Sequence, residues 1–279
     1  CISKVTYDIV QTVAPEVESI YLPHAVDSNI FKPLPKEEVQ QFKNQSIPGA
    51  ENKFLFFWNN RNARRKQSGS LLWWFKEFLD TIGHDKATLL MHTDPKDPHG
   101  QDLEAIVREL KLTEGQVLLS GNKMSPQDLA KIVNMCDCTI NISDAEGFGL
   151  ATLESLSCGV PIIVNMTGGL QEQVTDGENW FGIGIEPSSK AIIGSQDVPY
   201  IYEDRISKED FINALTTMIN MSDEEREQLG EMGRQHVQKN YSFEKFCSDW
   251  IEVIDETIEN HGSWDTRKNY KPYTFTEIE

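Results

Sequence analysis

The sequence predicts an α/β fold, a doubly wound, Rossmann-like parallel sheet with helices on both faces. Short apolar runs alternate with segments whose apolar residues recur at helical spacing. Glycine, proline or a capping serine often stands where one pattern gives way to the next. Because strands that alternate with helices are joined by right-handed crossovers, they assemble into one parallel sheet.

Strands and helices follow each other regularly from residue 54 onwards. Apolar runs predict strands at residues 54–58, 87–91, 117–119, 138–142 and 161–164. Apolar residues at helical spacing predict helices at residues 71–79, 103–110, 129–133 and 150–156. Ser125, Ser207 and Ser222 each precede an acidic residue by three positions, which is typical of a helix start.

Two later segments break this rhythm. Residues 182–205 lose their periodicity and mix prolines, serines and charges, which predicts a long loop or an insertion with room for a short strand. A last helix is predicted from the apolar residues between Phe243 and Ile254. The tail after His261 is expected to be extended or weakly ordered.

The composition narrows the class of protein. Apolar residues make up 39% of the 279 and charged residues 25%, which is ordinary for a globular protein. A net charge of -18 disfavours nucleic acid and anionic membranes as partners. No run approaches the roughly 20 apolar residues of a membrane span. Five cysteines without disulfide-like spacing favour a reducing, cytoplasmic compartment.

A basic cluster interrupts this acidic chain directly after the first predicted strand. Arg61, Arg64, Arg65 and Lys66 stand beside the start of the helix near Ser70. Ligands of doubly wound sheets bind outside the carboxyl ends of the strands, and free N–H groups at a helix start favour an anion. The cluster therefore predicts a diphosphate site, with a solvated basic loop as the alternative.

The loop after the fourth predicted strand combines glycines with carboxylates. Residues 143–150 read Ser-Asp-Ala-Glu-Gly-Phe-Gly-Leu, and Glu154 follows one turn into the next helix. Gly147 and Gly149 permit close approach of the backbone to a ligand. Since a carboxylate can accept hydrogen bonds from two neighbouring hydroxyls, Glu146 and Glu154 are predicted to address different parts of one polyhydroxylated ligand.

These motifs together resemble those of the group-one (family four) retaining glycosyltransferases, which have two Rossmann-like domains in the GT-B architecture. The resemblance covers about residues 21–250. It rests on Arg61 with Lys66, Glu146-Gly147-Phe148-Gly149-Leu150, Glu154, Cys158-Gly159-Val160-Pro161 and Thr167-Gly168-Gly169-Leu170. Asn60 stands where the family usually has glycine, and His24-Ala25 where Asn-Gly is common.

The resemblance implies a role for each matching residue. Glu146, Arg61 and Lys66 would be catalytic, because the glutamate would position the transferred sugar and the two cations would stabilise the departing diphosphate. The donor would also be bound at its ribose by Glu154, at its sugar and phosphates by the 147–150 loop, and at its base by residues 121–124. The implied binding residues are Glu154, Gly147, Phe148, Gly149, Leu150, Gly121, Asn122, Lys123 and Met124.

The resemblance also implies a domain organisation. Residues 1–22 would be a remnant of an N-terminal acceptor domain, 23–50 an interdomain linker, 51–242 the donor-binding domain, and 243–279 a crossover helix and tail. The chain begins at Cys1 without a methionine, which we interpret as a cut. A missing N-terminal domain is therefore expected to complete the cleft.

The function implied is retaining sugar transfer from a UDP-, GDP- or ADP-sugar to an unknown glycan, lipid or protein acceptor. A non-catalytic nucleotide-sugar-binding module and a nucleotide-sugar epimerase remain alternatives. The chain has no Asp-x-Asp triplet, which predicts transfer without a metal or other cofactor. His92, Asp94, Asp97 and His99 are interpreted as a polar loop rather than a metal site. A lipid acceptor would bring the full-length protein to a membrane surface.

Overall fold

The computed structural model of the chain describes residues 1–50 and 52–268, so residues 269–279 of the predicted tail lie outside the described residues. The strands are β1 (Phe54–Asn59), β2 (Ala87–His92), β3 (Val117–Ser120), β4 (Cys138–Asn141), β5 (Ile162–Asn165), β6 (Gly182–Ile185), β7 (Ser189–Ile193) and β8 (Ile201–Arg205). The helices are α1 (Lys4–Val13), α2 (Lys36–Ser46), α3 (Ser68–Ile82), α4 (Leu103–Glu109), α5 (Pro126–Met135), α6 (Leu150–Ser157), α7 (Leu170–Val174), α8 (Lys208–Asn220), α9 (Asp223–Asn240) and α10 (Phe243–His261). A 3₁₀ turn covers Arg64–Lys66.

Six strands form one parallel sheet in the order β3-β2-β1-β4-β5-β6, which confirms the predicted doubly wound fold. The strand order reverses between β1 and β4. Ligands of open α/β sheets bind at such a switch point, outside the carboxyl ends of the strands. The basic cluster follows β1 and the glutamate motif follows β4, so the topology places both beside this point.

Apolar side chains of the sheet alternate between two helical layers. Along β1, Phe56 and Trp58 contact the core under α3, α4 and α8, whereas Leu55 and Phe57 contact the core under α5, α6, α7 and α9. All four side chains are at most 1% exposed. A strand that is covered on both faces has no polar side, which is why residues 54–58 form a continuous apolar run.

Side-chain caps confirm three predicted helix starts. The Ser125 hydroxyl accepts the Asp128 N–H at 3.1 Å, and Ser207 caps α8 in the same way. Ser222 and Glu225 form a reciprocal capping box at the start of α9. These bonds satisfy amides that a helix leaves unpaired at its N terminus.

Residues 182–205 form three strands, so the prediction of a long loop is wrong. β6 extends the parallel sheet, and β7 pairs with β8 as an antiparallel hairpin. β6 reads Gly-Ile-Gly-Ile, and a Cβ on Gly182 would lie 2.1 Å from the Ile162 carbonyl oxygen. Close packing thus requires glycine here, and the glycines hide the apolar run. The hairpin exposes Ile192, Tyr200 and Tyr202, so no buried periodicity marks it.

The segment expected to be a linker contains helix α2. Its sequence is mostly polar, and Val39 and Phe42 provide a short apolar contact with the layer that includes α5. So small an apolar stripe gives a weak helical pattern, which explains why the sequence did not reveal the helix. The domain boundaries themselves stay a prediction.

The longest helices of the described segments, α9 and α10, carry many charged side chains. The longest, α10, spans 19 residues, and acidic side chains recur along it. Within residues 1–50 and 52–268, none of the helices combines the length and apolar character needed to cross a bilayer.

Candidate functional site

Three loops meet at the carboxyl edge of the sheet, after β1, β4 and β5. The Asp144 amide donates to the Arg65 carbonyl at 2.8 Å, which joins the first two loops. The Gly169 amide donates to the Glu146 carbonyl at 3.2 Å, which joins the last two. The structure therefore brings the basic cluster and the glutamate motif together, as the topology of the predicted fold requires.

Lys66 and Glu146 form a largely buried ion pair at the centre of this junction. The Lys66 Nζ atom is hydrogen-bonded to Glu146 Oε2, and the two side chains are 7% and 12% exposed. Burial lowers the pKa of Lys66, while the adjacent carboxylate opposes that shift. The Arg65 guanidinium lies 3.8 Å from the same oxygen, and Asn141 Nδ2 lies 3.5 Å from it. The site thus holds opposite charges where solvent screening is weak.

The loop before α6 packs against the loop before α7, backbone to backbone. A Cβ on Gly168 would lie 1.7 Å from the Glu146 carbonyl oxygen, and one on Gly169 would lie 2.6 Å from Phe148 Cα. Neither position has room for a side chain. Phe148 itself is buried and contacts the rings of His24 and Tyr241, so its side chain belongs to the core and its backbone faces the loop.

The start of α6 offers unpaired amides beside the ion pair. Gly149, with φ 97°, is the N-cap and supplies no capping side chain. The N–H groups of Leu150, Ala151 and Thr152 donate to no acceptor within the described residues. A helix start of this kind favours a negatively charged ligand. The amides predicted to bind an anion are therefore available at α6.

Glu154 lies one turn into α6 and is mostly buried. Burial raises its pKa to about 7, and its charge also contributes to the raised pKa of the neighbouring Cys158 thiol. Its carboxylate makes no hydrogen bond to the part of the chain that the structure describes. A desolvated carboxylate without donors gains most from a ligand that supplies hydroxyl groups.

Arg61 lies apart from the ion pair and is bound by the loop after β2. Its guanidinium donates to both Asp97 carboxylate oxygens, at 2.7 and 3.3 Å, and its Nη2 lies 2.7 Å from His99 Nδ1. Arg61 holds the pKa of Asp97 well below its usual range by this hydrogen bonding. Of the two predicted cations, the structure therefore places Lys66 at Glu146 and Arg61 at Asp97.

The first turn of α3 does not offer all the free amides that were expected, because the Gly69 N–H has an acceptor within the chain. The Gly69 N–H donates to Gln101 Oε1 at 2.8 Å. The Ser68 hydroxyl donates to Asn62 Oδ1 at 2.8 Å, and both residues are buried. Loop conformation decides this outcome, because Gln101 reaches α3 from the loop before α4.

The predicted base-binding segment, 121–124, lies exposed at the carboxyl end of β3. Gly121 approaches the loop after β2, since a Cβ there would lie 3.3 Å from the Thr93 carbonyl oxygen. At the end of β2, His92 Nδ1 lies 3.1 Å from Ser120 Oγ. Within the described ranges, no group of three or more His, Cys, Asp or Glu side chains could hold a metal ion. The role of this segment stays a prediction.

Sequence reasoning missed several polar residues that support the junction. Asn141 accepts from the Ser143 hydroxyl and amide, and Asn165 donates to the Ser143 carbonyl at 2.8 Å. Both asparagines end a buried strand at the carboxyl edge. This position at the end of a predicted strand is the sequence feature that could have indicated their role. Asp144 stood inside the loop motif, and its contacts became visible only with the fold.

An open parallel sheet that carries glycine-rich loops, an uncapped helix start and an ion pair at its switch point defines a class of ligand-binding Rossmann-like domain. A sequence model of the family described as Glycosyl transferases group 1 matches residues 41–236. The chain belongs to this family.

Proteins that are similar to this chain in sequence or in fold match it at low sequence identity. N-acetyl-alpha-D-glucosaminyl L-malate synthase of Bacillus anthracis is 22% identical over 243 residues, which are 87% of this chain and 54% of that protein. Sucrose-phosphate synthase from Thermosynechococcus elongatus has a TM-score of 0.73 at 19% identity, covering 93% of this chain and 58% of that chain. Anabaena HepE in complex with UDP-glucose has a TM-score of 0.70 at 16% identity, covering 92% and 63%. The chain thus spans 54–63% of the length of these proteins.

The raised pKa of Glu154 leads to a prediction about stability. Between about pH 4.5 and 7 the folded protein keeps a proton that the unfolded chain has lost, so the contribution of Glu154 to stability falls as the pH rises through that interval. Glu154→Gln removes this dependence. Relative to wild type, its free energy of unfolding should rise by up to about 3 kcal/mol between pH 4 and 8, as measured by urea denaturation.

The matched control is Glu178→Gln, which alters an exposed carboxylate in the turn before β6. Its free energy of unfolding is measured at the same pH values, so that the general effect of replacing a glutamate on this chain can be subtracted. A constant difference for Glu154→Gln would show that Glu154 titrates alike in the folded and unfolded chain.

Proposed function

We propose that this chain forms the donor-binding part of a retaining glycosyltransferase. The enzyme would transfer a sugar from a nucleoside diphosphate sugar to an acceptor held by another part of the protein. The observation that carries the proposal is the buried Lys66–Glu146 pair beside the uncapped start of α6. Membership of the group 1 family and the fold shared with HepE, whose solved complex contains UDP-glucose, support a sugar nucleotide as donor.

The junction has the charge that a diphosphate requires. Lys66, Arg65 and the free amides of α6 would face the phosphates together. As the bond to the sugar breaks, negative charge grows on the leaving phosphate. Donors that are already in place stabilise this charge without reorganisation, which is the largest electrostatic gain that a site of this kind provides.

Donor binding would replace the ion pair with two new interactions. The diphosphate takes the place of the Glu146 carboxylate as partner of Lys66. A sugar hydroxyl takes the place of the Lys66 ammonium as donor to Glu146. The glutamate then positions the sugar while the same face stays open to the acceptor, in keeping with retention. Glu154 would accept hydrogen bonds from the ribose hydroxyls.

Arg61 would reach the diphosphate by leaving Asp97. The pair is exposed on the arginine side, with 61% of the Arg61 side chain accessible. Solvent screens an ion pair that is exposed on one side, so a doubly charged ligand can compete for the guanidinium. Three cationic side chains and a helix start would then neutralise the donor, and we propose that transfer needs no metal ion or other cofactor.

Binding of nucleotides to this chain tests the donor site. UDP, GDP, ADP and their glucose conjugates should raise its melting temperature selectively for one base, because a ligand of the folded state adds stability. Lys66→Ala and Glu154→Ala should each raise the dissociation constant, measured by calorimetry, about tenfold or more. Lys76→Ala, which removes a half-buried cation on α3 that is paired with Asp80, is the control and should bind as wild type does. Absence of binding by wild type to all these ligands would contradict the proposal.

Turnover by the full-length protein tests the reaction. We expect donor consumption in the presence of a chelator, with a product of the same anomeric configuration as the donor by NMR. Glu146→Ala should lower kcat by about 100-fold, since misplacement of a substrate by 1 Å can cost that much. Full activity of this variant, loss of activity on chelation, or an epimerised nucleotide sugar as product would each count against the proposal.

A further inference from the structure

Asp144 binds the chain on both sides of Lys66. Its backbone N–H donates to the carbonyl of Arg65 at 2.8 Å, and its carboxylate accepts a hydrogen bond from Gln67 Nε2. Asp144 also stands two residues before Glu146. Asp144 therefore bonds to both chain neighbours of Lys66, and it lies in the same loop as Glu146, the ion-pair partner of Lys66.

Gln67 has a backbone conformation that needs such support. Its φ of 55° lies in the left-handed region, which is costly for a residue other than glycine. Both ends of its amide are engaged: Nε2 donates to Asp144, and Oε1 accepts from the Ser70 hydroxyl at 2.7 Å. The side chain thus fastens the left-handed turn that directs Lys66 into the site.

The hairpin supports Asp144 from the other side. The Asp204 amide donates to the Asp144 carbonyl at 2.8 Å, and the Arg205 guanidinium lies 3.6 Å from the Asp144 carboxylate. The side chain of Asp144 is 4% exposed, so these contacts are shielded from water. Asp204 and Arg205 of the hairpin therefore hold Asp144 in place, and Asp144 in turn holds the loop that contains Lys66.

We propose that Asp144 and Gln67 form a positioning clasp, which holds the Lys66 ammonium against Glu146 and so in place for a phosphate. Asp144 is a positioning residue, because it acts through Lys66 and its own contacts are with protein. The clasp deepens the proposed function and rests on it for the identity of the ligand. The position of Lys66 can be measured without any ligand.

The first arm of the experiment measures how fast Lys66 is acetylated in this chain by a water-soluble acetylating reagent, followed by peptide mass spectrometry. Burial raises the pKa of Asp144 to about 6, so the work is done at pH 8, where the carboxylate is ionised. Asp144→Ala and Gln67→Gly should each raise the rate about tenfold, the change expected for loss of one hydrogen bond to a charged group. Asp144→Asn should stay close to wild type, because its amide oxygen can still accept from Gln67.

Two comparisons separate positioning from general loosening. Gln67→Gly places glycine where φ is positive, so its midpoint in urea should hold near that of wild type while Lys66 becomes reactive. Asp80→Asn alters an exposed carboxylate at the far end of α3 and should change neither quantity. A wild-type acetylation rate in Asp144→Ala and Gln67→Gly overturns the proposal. So does an Asp144→Asn rate equal to that of Asp144→Ala, because the charge would then outweigh the hydrogen bond.

The second arm measures the dissociation constant for UDP, GDP and ADP. Asp144→Ala should weaken binding of the preferred nucleotide about tenfold, and Asp144→Asn should restore it. If Asp144→Ala binds the preferred nucleotide as tightly as wild type does, the proposed clasp is overturned. If wild type binds no nucleotide while acetylation behaves as expected, the clasp stands and the proposed function fails, so the two failures are distinguishable.

Discussion

The ion pair between Lys66 and Glu146 joins the two halves of the sheet at the point where the strand order reverses. One partner follows β1 and the other follows β4, and both side chains are almost entirely buried. Removal of one member of such a pair typically costs about 3–5 kcal/mol, because the other charge is left without compensation. The conformations of the loops after β1 and β4 therefore both depend on this ion pair. A ligand that separates the pair has to provide a new partner for each of the two charges.

The surrounding polar residues hold the loops between which the proposed exchange would take place. Asn141 and Asn165 hold the backbone of the glutamate loop from the ends of β4 and β5. The hairpin adds a layer beyond them: Asn165 also donates to the Asp204 carbonyl at 2.8 Å, and Thr167 donates to the Asp204 carboxylate at 2.8 Å. The hairpin, whose sequence lacks periodicity, therefore packs against the outer side of the site and supports its loops.

The sequence predicted those parts of the fold whose residues are buried on a regular pattern. β1 to β5 were recognisable because helices cover both faces of the sheet, and α5, α8 and α9 because serine caps mark their starts. β6 was hidden by its glycines, the hairpin by its exposure, and α2 by its polarity. In each of these cases packing or pairing, rather than an apolar pattern, determines the structure.

The same distinction applies to the site: some of its residues are marked by a local sequence motif, whereas others are placed only by the path of the loops. Lys66 and Glu146 could be expected to lie together because each follows a strand at the carboxyl edge, and the structure pairs them. Glu154 was predicted from its spacing to Glu146 in the family motif, and the roles of all three in donor binding stay a prediction. The Arg61–Asp97 pair and the Gln101 cover on α3 depend on the path of the loop after β2, which no local pattern encodes. Gln67 is similar, since its left-handed backbone could not be expected of glutamine.

The exchange of partners at Lys66 and Glu146 is tested most directly by a calorimetric comparison of Glu146→Ala with wild type, using the preferred nucleoside diphosphate and its sugar conjugate. The proposed exchange predicts opposite effects. The diphosphate alone should bind at least as tightly as to wild type, because Lys66 no longer has to leave a carboxylate, whereas the additional affinity contributed by the sugar should be lost. Equal weakening of both ligands, or no change in either, would contradict it.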